Sequence, residues 1–290
     1  MPADVIAIDH RTMLGCRYAI INPLQVDASV WDDLPVRPIV PAAFLAHPEL
    51  FPVLLALDEL GNRARVGLLD RMAMWECTST YPYFSALLSS DAAADRVERH
   101  LASLMVHQHH GITDVLRPHD PRVFRHMQWL LDDDQKDAML GPITGWTWRE
   151  PSGAWQQMRR QRVPAAALHL RQAQWDAYAR IGLLNRALAQ LQGVVPGYGN
   201  DATDAASVDS LLETALAMHH LVDPDDRCLF AEQAVRFHPR IHAHSSLVSR
   251  LLQASTGQTS YVSACADLDD AAMRRFAHDM DQQRTERIAS

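Results

Sequence analysis

Near Pro164 the hydrophobic spacing of the sequence changes period, and this confines the chain to two differently built parts. Before that point short apolar runs alternate with turn signals. After it apolar residues recur every three or four positions, as on one face of a helix. In the first part, residues 18–21 before Asn22-Pro23, 39–40 before Pro41 and 66–69 before Asp70 read as buried strands. Residues 51–60 and 95–104 read as helices, the latter with Val97, Leu101 and Leu104 on one face. The expected architecture is an α/β (α+β) lobe with a mixed sheet over 1–164, followed by an all-α lobe over 165–290. In that second lobe, 175–191, 207–220, 224–237 (capped by Asp223), 241–254 and 269–283 read as helices, with 193–206 as a loop.

With 48% apolar and 21% charged residues among 290, the chain can bury a core without disulfides or a structural metal. Cys16, Cys77, Cys228 and Cys265 are scattered and form no CxxC pair, as expected of reduced thiols in a cytoplasmic protein. Asp4 and Asp9 stand where an export signal would need basic residues. The longest apolar run, 50–57, is broken by Pro52 and is far shorter than the roughly 20 residues a bilayer requires. No export and no membrane partner are therefore expected. The net charge of -8 argues against nucleic acid as a partner. It is concentrated in residues 1–150, which hold 20 acids against 13 basic residues. The local exception follows Pro151, where Arg159, Arg160, Arg162 and Arg171 occur with no acid before Trp175.

Residues 104–163 carry the clearest local grammar. An extended piece, a turn at Gly111 and a second extended piece predict a hairpin. Asp120 offers a cap to a helix that begins at Pro121, with Val123, Phe124, Met127, Leu130 and Leu131 as its apolar face. The helix of DDDQKDAML stops at Gly141-Pro142. ITGWTWRE then reads as a strand with Trp146 and Trp148 on one face, followed by a turn over 151–153 and a return strand from Trp155. Trp146, Trp148, Trp155, Arg159, Arg160 and Arg162 are candidates for a partner-binding surface, because Trp and Arg are favoured at interface centres. The alternative is that the tryptophans pack inward and the arginines pair with the acids of the first 150 residues.

Chemistry-bearing patterns are sparse. There is no GxGxxG, GxxxxGK[ST] or GxSxG among only 12 glycines, so no cofactor and no catalysis are expected. His100, His107, His109 and His110 could share an ion, or could be surface residues beside a turn. His219, His220, His238, His242 and His244 read as helix-end or surface histidines, since Pro239 breaks any helix that would align them. Asp132, Asp133 and Asp134 read as a helix N-terminus.

The segment from His100 to Glu150 resembles the hallmark region of the type VI secretion effector chaperone or adaptor family, known as domain of unknown function 4123. The matching positions are His100 and Leu101, Gly111, the run Arg117, Pro118, His119, Asp120, Pro121 and Arg122, then Gly141, Pro142, Trp146 and Trp148. The likeness extends over about residues 15–165, and the helical tail resembles lobes attached to that domain. One departure is Pro118-His119, where the family pattern has an aromatic pair. The resemblance implies a cytoplasmic adaptor that binds a secreted effector and helps to load it onto a VgrG-type spike, without catalysis. Of the motif residues, His100, Leu101, Arg117, Asp120, Pro121, Arg122, Gly141 and Pro142 are expected to be structural. Two rival readings are a metal-dependent hydrolase on the His100, His107, His109 and His110 cluster, and a nucleic-acid module using the arginines of 159–171.

Overall fold

The two central strands of the first unit, YAII and VLLA, are apolar at every position because both faces of the sheet are covered. The computed structural model describes residues 4–109 and 112–289, the side chains of 109, 112 and 283–289 excepted. The chain divides into two units, Met1–Arg171 and Gln172–Ser290.

The first unit runs β1 (Asp4–Ile6), α1 (His10–Gly15), β2 (Tyr18–Ile21), β3 (Val36–Pro38), β4 (Val53–Ala56), α2 (Asn62–Glu76), β5 (Ala86–Ser89) and α3 (Ala94–Met105). It continues with the ribbon β6 (Val106–His109) and β7 (Ile112–Val115), then α4 (Pro121–Phe124), α5 (Met127–Leu130), α6 (Asp133–Leu140), β8 (Gly145–Arg149) and β9 (Trp155–Arg159). Seven strands form one sheet in the order β1-β9-β8-β5-β2-β4-β3. Every pair in it is antiparallel, which corrects the expected mixed sheet. The connection β4-α2-β5 does return the chain in its original direction. However, β2 lies between those two strands and runs against both, so no parallel pair results.

Register sorts the side chains. Ala19, Leu55, Leu87 and Thr147 are cross-strand partners on one face, where Ala19, Leu55 and Leu87 join Met13, Leu68 and Trp155 in a core. Tyr18, Leu88 and Trp146 align on the opposite face. Two element assignments exchange places. Residues 51–60 contain strand β4, and 66–69 lie inside α2, whose Leu68, Leu69, Met72 and Trp75 pack on that first core. Strand β3 ends before Ile39, and the helix expected from Pro121 is split into α4 and α5. The hairpin expected over 104–116 is β6 paired with β7; its turn at Gly111 lies outside the described residues.

The second unit is helical: α7 (Gln172–Val194), α8 (Ala202–Ala217), α9 (Pro224–Arg236), α10 (Ser245–Ser255), α11 (Tyr261–Ala264) and α12 (Asp270–Ala289). Asp201 and Asp223 cap α8 and α9, accepting from the amides of Thr203 and Asp225. Ala215, Leu221, Phe230, Ile241, Leu247, Leu251, Tyr261 and Met273 build its core. His242 belongs to that core and not to a surface or a helix end, its ring stacked on Phe230 at 3.5 Å. His244 does take a helix-end role, accepting from the Ser246 amide at the start of α10. The division falls at Arg171, past the expected 164, because residues 160–171 are held to the first unit. Among the described residues no helix is long and apolar enough to cross a membrane.

Candidate functional site

Among the described residues, most of those that carry the family resemblance collect at two places in the first unit. At the first, His100 on α3 brings Nε2 to 2.8 Å from the Met139 carbonyl. Gly141, which ends α6, has φ of +55°, and a Cβ there would stand 2.2 Å from the His100 ring. Only glycine meets both demands. The Arg160 guanidinium donates to the Gly141 carbonyl, and Ser90 Oγ donates to that of Pro142 at 2.8 Å. Leu101 is buried beside them. Burial holds the His100 pKa below its usual value, against the pull of the Met139 bond.

At the second place Asp120, 4% exposed, caps α4. One carboxylate oxygen accepts from the Arg122 amide and Nε, both at 3.0 Å, and the other from an Arg122 terminal nitrogen at 2.7 Å. Gln25 donates to the same carboxylate at 3.4 Å. Burial pushes the Asp120 pKa up, but the Arg122 bonds and charge outweigh it and leave the group below the usual carboxylate value. The Arg117 carbonyl accepts from the Asp120 amide, fixing the approach to the cap. Beneath them Arg125 and Glu150 pair at 2.9 Å, both buried, and the Trp148 indole donates to Glu150 at 2.7 Å.

The tryptophans do not form a surface. Trp146 and Trp148 are fully buried, with Trp146 stacked on Phe124 at 4.5 Å and 11°. Trp155 is 7% exposed and packs in the core on the other face of the sheet. Alternation along β8 and β9 dictates this, because the sheet is covered on both sides.

The three arginines divide. Arg159 is exposed and has no side-chain partner among the described residues. Arg160 is spent on Gly141. Arg162 is exposed and lies 3.9 Å from Asp134, while Arg171 pairs with Asp132 at 3.0 Å. Buried Asp137 accepts from the backbone amides of Gln161 and Arg162 at 2.7 and 3.0 Å, so the segment after β9 is strapped along α6.

The histidine cluster is not assembled by the rings the structure describes. His100 is turned to Met139, and His107 Nε2 lies 3.1 Å from the Leu104 carbonyl. His110 and the ring of His109 lie outside the described residues. Among the described residues no group of three His, Cys, Asp or Glu side chains is placed to hold a metal ion.

A cleft of about 370 Å³ opens over the second place, lined by Gln25, Thr80, Tyr81, Pro82, Asp120, Pro121, Arg122, Arg149, Glu150 and Pro151. Sequence reasoning found the Asp120 cap but missed Gln25, Tyr81, Arg149 and Glu150, which no local pattern marks. Comparison with protein-family models, curated proteins and solved structures finds no match to this chain.

Proposed function

We propose that the chain is a cytoplasmic adaptor that binds a secreted effector and helps to deliver it to the VgrG-type spike of a type VI secretion machine. The likeness over residues 100–150 supports this reading. One observation carries it: Asp120 and Glu150, the two carboxylates that line the open cleft, are both committed to internal bonds, Asp120 with Arg122 and Glu150 with Arg125 and Trp148. Carboxylates braced in this way suit a rigid binding frame. An acidic chain fits protein partners better than nucleic acid, and neither a cofactor nor a membrane enters the scheme.

Co-expression with the products of the neighbouring genes, followed by affinity capture and identification of any toxin or spike recovered, tests the proposal. Recovery of the toxin with the chain, and a fall in toxin level without it, is expected. Recovery of neither protein overturns the adaptor reading, as does a stoichiometric transition metal in the purified chain.

A further inference from the structure

The cleft over Asp120 has a composition that selects its occupant. Its apolar walls are Pro82, Pro121, Pro151 and the Tyr81 ring, and three of these four residues have no backbone N–H to offer. A phosphate needs several convergent amides or a net positive field. The ionised lining residues, Asp120, Glu150, Arg122 and Arg149, sum to zero charge. The walls therefore lack the cradle of backbone amides that holds a polyphosphate, and the cleft offers charge enough for single carboxylates only.

Both carboxylates are already engaged, Asp120 by Arg122 and Glu150 by Arg125 and Trp148. The cationic groups of the cleft are the arginines. Arg149 reaches Glu76 at 3.5 Å through one terminal nitrogen, and its other guanidinium donors have no acceptor among the described residues. Arg122 is held from behind by Asp120, lies 5.4 Å from the Tyr81 ring centroid and keeps half its side-chain surface in solvent. An arginine held at one nitrogen, as Arg149 is by Glu76, loses little entropy on receiving a carboxylate, which its planar donors match. Proline and tyrosine walls suit an extended, polyproline-like chain, which costs little to order. The volume falls within the roughly 300–1,000 Å³ of ordinary ligand sites.

We propose that this cleft docks an extended, proline-containing peptide segment of a partner protein and that Arg149 receives an acidic side chain of that segment. The identity of the partner as an effector or spike rests on the adaptor reading; the peptide chemistry does not.

Fluorescence anisotropy with a labelled (Glu-Pro)5 peptide on the full chain tests it. Saturable binding is expected, at least tenfold weaker for uncharged (Gln-Pro)5 and for the variant Arg149→Gln, and at least threefold weaker for Tyr81→Ala. Thermal melts of both variants establish that they are folded. Equal binding of the two peptides, indifference to Arg149→Gln in a folded variant, or no saturation overturns the proposal. Displacement by low-millimolar succinate also overturns it, assigning the cleft to a small acid. A chain that binds (Glu-Pro)5 as described but captures no toxin or spike keeps the cleft assignment and loses the adaptor reading.

Discussion

Trp146 and Trp148 sit two residues apart on one strand and are equally buried, yet their polar atoms have different fates. The Trp148 N–H donates to Glu150, whereas the Trp146 N–H is buried with no partner among the described residues. Phenylalanine at 146 therefore gives up volume and the stack on Phe124, while phenylalanine at 148 also takes a donor from a buried carboxylate. Trp148→Phe is expected to be more destabilising than Trp146→Phe by about 1–2 kcal/mol, read by urea denaturation. Asp120 is likewise more than the helix cap that its sequence context shows. Loss of a cap costs about 1 kcal/mol, but Asp120→Ala also releases the Arg122 fork from a buried site. Because Arg122 is half exposed and water can serve it, the total is expected near 2–3 kcal/mol, short of the 3–5 typical when a fully buried pair is broken. A loss of 1 kcal/mol or less in the same titration would reduce Asp120 to its cap.

Elements whose ends carry their own chemistry were legible. The Asp120-Pro121 start, the helix N-terminus at residues 132–134 and the Gly141 stop are all in place, because a cap depends on residues two or three positions away; the structure adds a capping box between Asp132 and Gln135. What was not legible depended on distant chain. A four-residue run such as VLLA has no period to distinguish strand from helix, and only its seat between β2 and β3 makes it β4. In 66–69 the eye catches VGLL, but the helical spacing of Leu68, Met72 and Trp75 was there to be counted. The cleft could not be read, since residues 25, 80–82, 120–122 and 149–151 meet only through the sheet order. The same holds for the strap after β9, whose attachment to Asp137 spans 24 and 25 residues. Asp137→Ala removes the acceptor of two backbone amides, each such charge-assisted bond being worth roughly 1.5–3 kcal/mol. Trypsin cleavage after Arg162 is expected to accelerate at least tenfold while the far-ultraviolet spectrum is retained. Unchanged cleavage would show that the remaining contacts, among them Arg160 with Gly141, Gln135 with the His169 carbonyl and Arg171 with Asp132, hold the strap without Asp137.

Across the whole molecule the two units share one electrostatic trait, which sets the acid limit of stability. Burial lowers the pKa of His119 in the first unit to about 4 and, with the nearby charge of His219, that of His242 in the second unit to about 3. His100, His107 and His219 are shifted in the same direction by burial. A histidine whose folded pKa lies below the unfolded value of about 6.5 binds its proton more readily when the chain unfolds. Its contribution is complete above that pH and is lost as pH falls toward the folded value, by up to ~1.4 kcal/mol per pH unit for each group. The net charge of -8 makes the opposite prediction, because mild acid neutralises excess negative charge and relieves repulsion. Desolvation wins, since it acts on groups inside the core and surface charges are screened by salt. Stability is therefore expected to fall steadily from pH 6.5 to 4.5 in 0.15 M salt, the first part of the fall preceding most carboxylate titration. His242→Phe isolates one contributor. It preserves an aromatic ring against Phe230, leaves Gln233 accepting from the Tyr261 hydroxyl at 2.7 Å, and removes the titrating group. In calorimetric scans at pH 7, 6 and 5 the variant is expected to lose less transition temperature on acidification than the parent chain. Identical losses in the two proteins would place the acid sensitivity elsewhere than His242, with His119, His100, His107 and His219.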